Sequence, residues 1–397
     1  MRIAFIRQRY NPFGGAERFV ERAAASLVGA GAAITVIARN WRVDEVGVRP
    51  RYRRCNPYYV GRVWRDWGFA RSVCRLIGRR RYDLVQSHER IACCDVYRAG
   101  DGVHRQWLQH RAREQSWFGA LMTRLSPYHR YVLRAERRMF HSDRLRAVIC
   151  NSQMVKADVL RHFPTSGAKL HVIYNGIDLE HFNPRVRETQ RAGKRVELRV
   201  GAGQKLYLFV GSGFARKGVA RLLEAFSKTD NDRDRLVIVG EDKRIDKMRI
   251  QAKKLGIADR VTFAGGQPDV RPYYAAADCF VLPTLYDPFP NAALEAMACG
   301  LPIITTAHTG AAELVTPGVN GFVVDSLDVS SLVEAMRRFR GLDADAASRA
   351  ARAAVESFSL EAKAEELIEV YRNLLDSSAL LEVNPASLPG ARQAAFP

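Results

Sequence analysis

No run of about 18 uncharged apolar residues occurs in the 397-residue chain, which excludes a membrane-spanning helix. Residues Met1 to Gln8 form a short apolar strand pattern that Arg9 soon follows, without the longer apolar core or cleavage site of a signal peptide. A cytoplasmic location is the expectation. Cysteine is sparse: Cys55, Cys74, Cys93, Cys94, Cys150, Cys279 and Cys299 include no Cys-x2-Cys spacing of a metal or redox motif, and all seven read as reduced core thiols. Acidic residues are scarce in the first 172 positions, which hold 13 against 33 basic ones, 31 of them arginine. The remainder carries 29 of each sign, so the whole net charge of +20 lies in the first half. Such asymmetry points to an acidic partner for that half alone, a nucleic acid or an anionic membrane or lipid. Compositional bias towards arginine is the alternative, but it leaves the neutrality of the second half unexplained.

The apolar pattern alternates strand and helix twice over. Ile3 to Ile6 reads as a buried parallel strand, a loop closes at Gly14-Gly15, Ala16 to Val28 has helical period, and Ile34 to Ile37 is the next strand. Further strands fall at Leu84-Val85, at Ala147 to Ile149 before the helix cap Asn151-Ser152, and at Leu170 to Ile173. The pattern lapses from Tyr174 to Gln204, then restarts with strands at Leu206 to Val210, Leu236 to Val239, Val261 to Phe263, Cys279 to Leu282 and Pro302 to Thr305. The fold class is therefore α/β, with two doubly wound parallel sheets in tandem. The expected boundaries are a basic first domain over 1–174, a linker over 175–204, a second domain over 205–376 and a mobile tail over 377–397.

Two segments of the second domain carry chemistry. Val210 to Gly218 spans a strand-to-helix junction where glycines admit a ligand and a helix N-terminus favours anions, and Arg216 and Lys217 add two cations there. A diphosphate site without a metal is expected, with Gly213 in the turn. In the second segment, Pro290 suits a first helical turn, so the amides of Asn291, Ala292 and Ala293 are expected to face a second anionic group. Asp287 precedes that helix and Glu295 lies inside it, so both carboxylates are placed to accept hydrogen bonds from ligand hydroxyls.

The Asp287-x7-Glu295 pattern is similar to the Glu-x7-Glu signature of retaining glycosyltransferase family 4, and Gly213-Phe214 to Lys217-Gly218 resembles that family's diphosphate-binding turn. The likeness extends over residues 1–375 through Tyr10 to Arg18, Tyr174 to Asp178 and Pro302 to Thr306. Within the family, Phe13-Gly14-Gly15, Asp95-Val96-Tyr97 with Asp101, and Gly211 to Gly218 most resemble the enzymes that glucosylate the lipopolysaccharide core. The resemblance implies the GT-B fold, two facing Rossmann-like domains with a C-terminal helix, the second holding a nucleotide-sugar donor and the first an acceptor. It also implies that Arg216 and Lys217 neutralise the leaving diphosphate, Glu295 takes the ribose hydroxyls and Asp287 contacts the transferred hexose. Asp287 is one methylene shorter than the usual Glu, which puts the sugar preference in question. Gly14 and Gly15 are expected at the opposite wall, facing the donor or acceptor, or else as a plain turn. Asp101 and His88 are expected at the cleft, touching sugar or acceptor, or else as structural residues. The family needs no cofactor and no divalent metal. The Asp-x-Asp spacing at Asp232 and Asp234 reads as a solvated loop.

Between Trp107 and Phe140 aromatic and apolar residues alternate with arginines, as in a helix resting on an anionic membrane surface, or in a helix pair packed on the sheet. The expected activity is transfer of a hexose, glucose from UDP-glucose, to a lipid-linked acceptor such as lipopolysaccharide core, peripherally on the inner face of the cytoplasmic membrane. Alternatives are a family member using UDP-GlcNAc or GDP-mannose, a sugar-nucleotide epimerase of the same fold, and a basic nucleic-acid-binding protein. The last leaves Arg216, Lys217 and the Asp287-x7-Glu295 pair unexplained, and no nucleic-acid partner is expected.

Overall fold

The computed structural model describes residues 1–8, 27–29, 31–40, 51–80 and 82–383, with side chains as far as 376. Gly14, Gly15 and the rest of the Tyr10 to Arg18 stretch lie outside the described residues, as do 384–397.

Two parallel sheets organise the chain. The first contains β1 (Arg2–Ile6), β2 (Ala33–Ala38), β3 (Arg51–Arg54), β4 (Leu84–Ser87), β5 (Val96–Arg98), β6 (Ala147–Cys150) and β7 (Leu170–Val172) in the order β3-β2-β1-β4-β5-β6-β7. The second contains β8 (Leu206–Val210), β9 (Arg235–Val239), β10 (Val261–Gly265), β11 (Cys279–Leu282), β12 (Ile303–Thr306) and β13 (Gly321–Val324) in the order β10-β9-β8-β11-β12-β13. Strand order reverses between β1 and β4, and again between β8 and β11. At such points the connections leave to opposite faces and open a crevice beyond the carboxyl ends of the strands. The β3 strand, Arg-Tyr-Arg-Arg, has no apolar run to mark it in the sequence; its exposed arginines suit a sheet edge, where charge deters further pairing.

Alternation along β1 supplies two cores. Ile3 and Phe5 join one apolar cluster, Ala4 and Ile6 the other, all buried. The second face is covered by helices including α1 (Gly61–Gly78), and the basic segment beyond β5 folds as α2 (His104–Ala112), α3 (Trp117–Leu125) and α4 (Pro127–Phe140). Ser152 caps α5 (Gln153–His162) by accepting from the Val155 amide at 3.2 Å, as its sequence position indicates.

The stretch read as linker contains a helix, α6 (Arg185–Glu197), with only Val186 buried, too narrow an apolar stripe to register in the sequence. Arg191 and Arg195 fasten it to the second domain. They reach Asp278 at 2.6 and 3.1 Å and the carbonyls ending a short helix of that domain, and Asp278 also accepts from the Leu206 amide. The other helices of the second sheet are α7 (Val219–Ser227), α8 (Ile245–Lys254), α9 (Arg271–Ala276), α10 (Asn291–Ala298), α11 (Val329–Phe339) and α12 (Ala344–Ala353).

The last helix, α13 (Leu360–Val383), differs from expectation in two ways. It continues to Val383, past the point where the tail was placed. It also leaves the second domain: Leu360, Ala364, Leu367, Val370 and Tyr371 belong to the core of Ile3, Phe5, Leu84 and Val96. The chain therefore crosses between domains twice, and the crossings lie side by side. The Ile177 amide donates to Phe358 O and the Leu360 amide to Ile177 O, at 2.8 and 3.2 Å. A Cβ on Gly176 would stand 2.8 Å from the Leu360 Cα, so glycine is required for this approach. Cysteine requires a correction as well. Cys74 on α1 and Cys93 in the loop after β4 are joined in a disulfide, while the five other thiols are buried and free.

Leu367 has no exposed surface. Its replacement by alanine is expected to cost about 2–5 kcal/mol through lost burial and an unfilled cavity. Chemical denaturation followed by the fluorescence of Trp64 and Trp67, both in the first domain, measures this; an unchanged midpoint would contradict the assignment of α13 to that core.

Candidate active site

Both switch points open into one cleft of about 690 Å³ between the domains. From the first domain come Gln8 after β1, Glu89 and Arg90 after β4, and Asp101 after β5; from the second come Ser212, Arg216, Lys217, Asp287, Asn291 and Ala292.

The turn after β8 owes its shape to glycine. Gly218, at φ 78°, caps α7 in the left-handed region, and a Cβ there would collide with the Pro283 carbonyl at the end of β11. This packing brings Arg216 and Lys217 against the loop that follows β11. The Leu285 amide and Thr284 hydroxyl donate to Arg216 O at 2.9 and 3.2 Å, and the Arg216 guanidinium donates to Tyr286 O at 2.9 Å. Asp287 Oδ2 then lies 3.2 Å from Arg216 and 3.7 Å from Lys217 Nζ. Burial lowers the Lys217 pKa below the ordinary lysine value, with Asp287 opposing that shift and Arg216 adding to it.

The turn amides behave otherwise than expected. Gly213 N and Phe214 N both donate to Asp242 Oδ2, at 2.9 and 2.8 Å, so this anion-binding nest is filled by a carboxylate from the loop after β9. Gly213 does not line the cleft; Ser212 does. A similar correction applies at α10. Pro290 is its N-cap, and the Ala293 amide donates back to Pro290 O at 3.1 Å while the residue is fully buried. Asn291 and Ala292 alone of the three form cleft wall. Glu295 stands behind it, accepting from the Tyr274 hydroxyl at 3.0 Å, close enough for its charge to act on Lys217.

On the opposite wall, Asp101 is exposed to the cleft, and His88 is not part of it. His88 is buried, 3.2 Å from Gln86 Nε2, and burial with the charges of Arg7 and Arg98 lowers its pKa well below the usual histidine value. The neighbouring Glu89 faces the cleft instead. Its carboxylate accepts from the Gln8 amide at 2.9 Å, and burial raises its pKa. The switch-point argument that selected His88 applies equally to Glu89, one residue on. Arg90 is held by Glu136 at 3.0 Å and donates to Gly102 O at 3.1 Å, which fixes the Asp101 loop from below.

Contacts between domains hold the walls in register. Asn175 receives Arg98 at 3.0 Å and donates to Phe289 O and to Asn291 Oδ1 at 3.2 and 2.8 Å, linking β5 to the start of α10. The Tyr286 hydroxyl donates to Asp158 and accepts from the Val103 amide, at 3.0 and 3.1 Å. Glu313 accepts from the first amides of α5 and from Tyr174. In the sequence Asn175 is only one residue of the Tyr174 to Asp178 stretch, where nothing indicates its partners.

Among the described residues no three His, Cys, Asp or Glu side chains gather as a metal site. Asp234 is not the solvated loop residue expected: it is buried, ion-paired with Arg340 and bonded to the Lys205 amide, while Asp232 is exposed. No helix among the described residues is long and apolar enough to cross a membrane.

Comparison with known proteins agrees with this architecture. The family described as Glycosyltransferase Family 4 matches residues 13–181, and that described as Glycosyl transferases group 1 matches residues 190–356. The lipopolysaccharide glucosyltransferase WaaG of Escherichia coli K12 is 28% identical over 356 residues, 85% of this chain and 89% of that protein. A crystal structure of WaaG superimposes with a TM-score of 0.78 at 25% identity, covering 93% of this chain and 99% of that one. The lipopolysaccharide core biosynthesis glycosyltransferase LpsE of Rhizobium meliloti 1021 is 31% identical over 186 residues, 46% of this chain and 53% of that protein. Two facing parallel α/β domains, a cationic turn at the second switch point and family matches across both halves lead to one assignment: the chain belongs to the group 1, family 4 glycosyltransferases of GT-B fold.

Proposed function

We propose that this glycosyltransferase moves a hexose, glucose from UDP-glucose, with retention of anomeric configuration and without a divalent metal, onto a lipid-linked acceptor of the lipopolysaccharide-core type. The observation that carries the reading is the convergence of Arg216, Lys217 and Asp287 on one cleft wall opposite Asp101. The bond from the sugar's anomeric carbon to the β-phosphate oxygen breaks as the acceptor's hydroxyl oxygen bonds to that carbon, and negative charge grows on the departing oxygen until it takes up the hydroxyl proton. Two preorganised cations, one of them largely desolvated, offset that charge in the transition state more strongly than water does. Asp287 holds the cations in position and neutralises part of their mutual repulsion. It also presents its remaining acceptor capacity to hexose hydroxyls, while Glu295 serves the ribose and Asp101 the sugar or acceptor. The glucose and lipopolysaccharide parts of the proposal rest on the likeness to WaaG and LpsE.

Lys217→Ala is expected to reduce turnover by roughly two orders of magnitude, the scale of one lost charge contact in a transition state, while the wild type transfers undiminished in excess EDTA. Radiolabel transfer from UDP-glucose to deacylated core oligosaccharide measures both. Near wild-type turnover in the folded variant, or EDTA inhibition reversed by Mg2+, contradicts the cation assignment.

Protonated Lys217 is the active form, so kcat/KM falls as pH rises through its pKa, and burial brings that alkaline limb below the position of an ordinary lysine. Asp287 raises this pKa, so Asp287→Asn moves the limb to lower pH; Lys217→Arg, whose charge persists, moves it to higher pH. A limb that is the same in all three proteins would exclude Lys217 as the titrating group.

The acceptor's lipid gives α3 a function. Trp117, Phe118, Leu121, Met122 and Leu125 are all exposed along it, an apolar face that suits a membrane interface. Trp117→Ser with Phe118→Ser is expected to weaken sedimentation with phosphatidylglycerol vesicles at high salt, where the arginine contribution is screened. Unchanged sedimentation would remove α3 from the membrane contact.

A further inference from the structure

A second groove, of about 920 Å³, runs between α1 and α4 beside the active-site cleft. The two openings are continuous through Ala70, Arg90, Ile91, Tyr131 and Ala135, which line both. Arg71 and Arg75 face it from α1 at a spacing of four; Arg130, Arg134 and Arg138 face it from α4 at the same spacing. On a helix that spacing stacks side chains on one face, so like charges there repel. Here two such ladders oppose each other. Among the described residues none of the five arginines is ion-paired with a carboxylate, whereas Arg90 at the mouth is held by Glu136. The α4 ladder extends over about 12 Å at the helical rise per residue, long enough for more than one anionic group.

We propose that this groove is the anion subsite for the acceptor, holding the phosphate- or carboxylate-bearing sugars next to the hydroxyl that is glycosylated; this rests on the transferase reading above. Guanidinium forks match phosphate and carboxylate geometry, and a row of them tolerates several anionic groups in sequence. An anion in the groove removes the repulsion between the ladders. Continuity with the cleft commits the occupant to the acceptor glycan rather than to bilayer head groups: a chain bound along α4 reaches past Tyr131 and Arg90 to the wall bearing Asp101.

The test uses the full-length protein and a variant with Arg71→Gln, Arg75→Gln, Arg130→Gln and Arg134→Gln, all exposed positions where glutamine keeps helix propensity. Calorimetric titration with deacylated, phosphorylated core oligosaccharide is expected to give a Kd at least tenfold higher for the variant, with a flatter salt dependence. The dephosphorylated oligosaccharide, whose remaining acidic sugars still engage the groove, loses affinity for the wild type and narrows the difference between the two proteins. Equal binding of the phosphorylated oligosaccharide by both proteins overturns the proposal. So does a variant that loses phosphatidylglycerol vesicles but keeps the oligosaccharide, which would assign the ladders to the membrane. UDP-glucose titrated into both proteins tests the transferase reading separately: binding by neither defeats that reading, while the oligosaccharide comparison still decides the groove.

Discussion

The second domain is built around the cost of holding a lysine ammonium out of water. Lys217 is lowered in pKa by burial, and an isolated buried charge is expensive unless it is paired. Asp287 supplies the pair, and Asp287 is in turn held in place by backbone bonds: its amide donates to His308 O, and its carbonyl accepts from the Gly310 amide. Those bonds depend on the loop after β11 lying against the turn after β8, and that requires a residue without a Cβ at 218. One electrostatic requirement thus fixes the register of two loops at the switch point. The result is a charge cluster held by hydrogen bonds within the protein itself, the kind of preorganisation that stabilises a charge developing only in a transition state.

The first domain meets this cluster through contacts that place walls more than they supply chemistry. Asn175 joins β5 to α10 between the domains, and Tyr286 from the cationic loop reaches across to Asp158 and Val103. Gly102 is pressed against that tyrosine, so Asp101, the residue before it, is set opposite Asp287 by the same contact. The two side-by-side crossings near Ile177 and Ser359 are the covalent part of the link. A helix from the chain's end completes the core of the domain where the chain began, so the two domains do not divide the sequence cleanly.

What could be read in advance follows from range of interaction. Buried parallel strands expose apolar runs directly in the sequence, and β8 and β11 were legible to the residue, Leu206–Val210 and Cys279–Leu282. The edge strand β3 and the helix α6 carry arginines where apolar residues were sought, and neither was legible. The placing of Arg216, Lys217, Asp287 and Asn291 on one wall follows from motif and position after strands, whereas Asp101 was indicated only by the family resemblance, β5 before it being too short to read. The Asp242 bonds to Gly213 and Phe214 did not, because they join loops nearly thirty residues apart and a glycine-rich turn looks the same with or without a carboxylate in it. For His88 the structural alternative holds: it is buried behind the wall, and the loop after β4 brings Glu89 and Arg90 to the cleft instead.

The charge asymmetry has a structural form. In the first domain five acidic residues are paired with arginines of the same domain: Asp66 with Arg65, Asp83 with Arg2, Asp95 with Arg144, Glu136 with Arg90 and Asp158 with Arg161. Each of these pairs leaves no net charge to attract a partner. The excess is therefore not spread evenly, and part of it lines the groove between α1 and α4 and the helices flanking α3. Arginine rather than lysine in those positions keeps the charge at any accessible pH and offers planar, two-pronged donors. Self-repulsion among them weakens the domain alone and would strengthen its hold on an anion, so under the proposal above the residues that cost stability are those that select an acidic ligand. On the proposed reading the second domain, neutral overall, meets its ligand's charge with the two cations Arg216 and Lys217, because that charge is confined to one diphosphate.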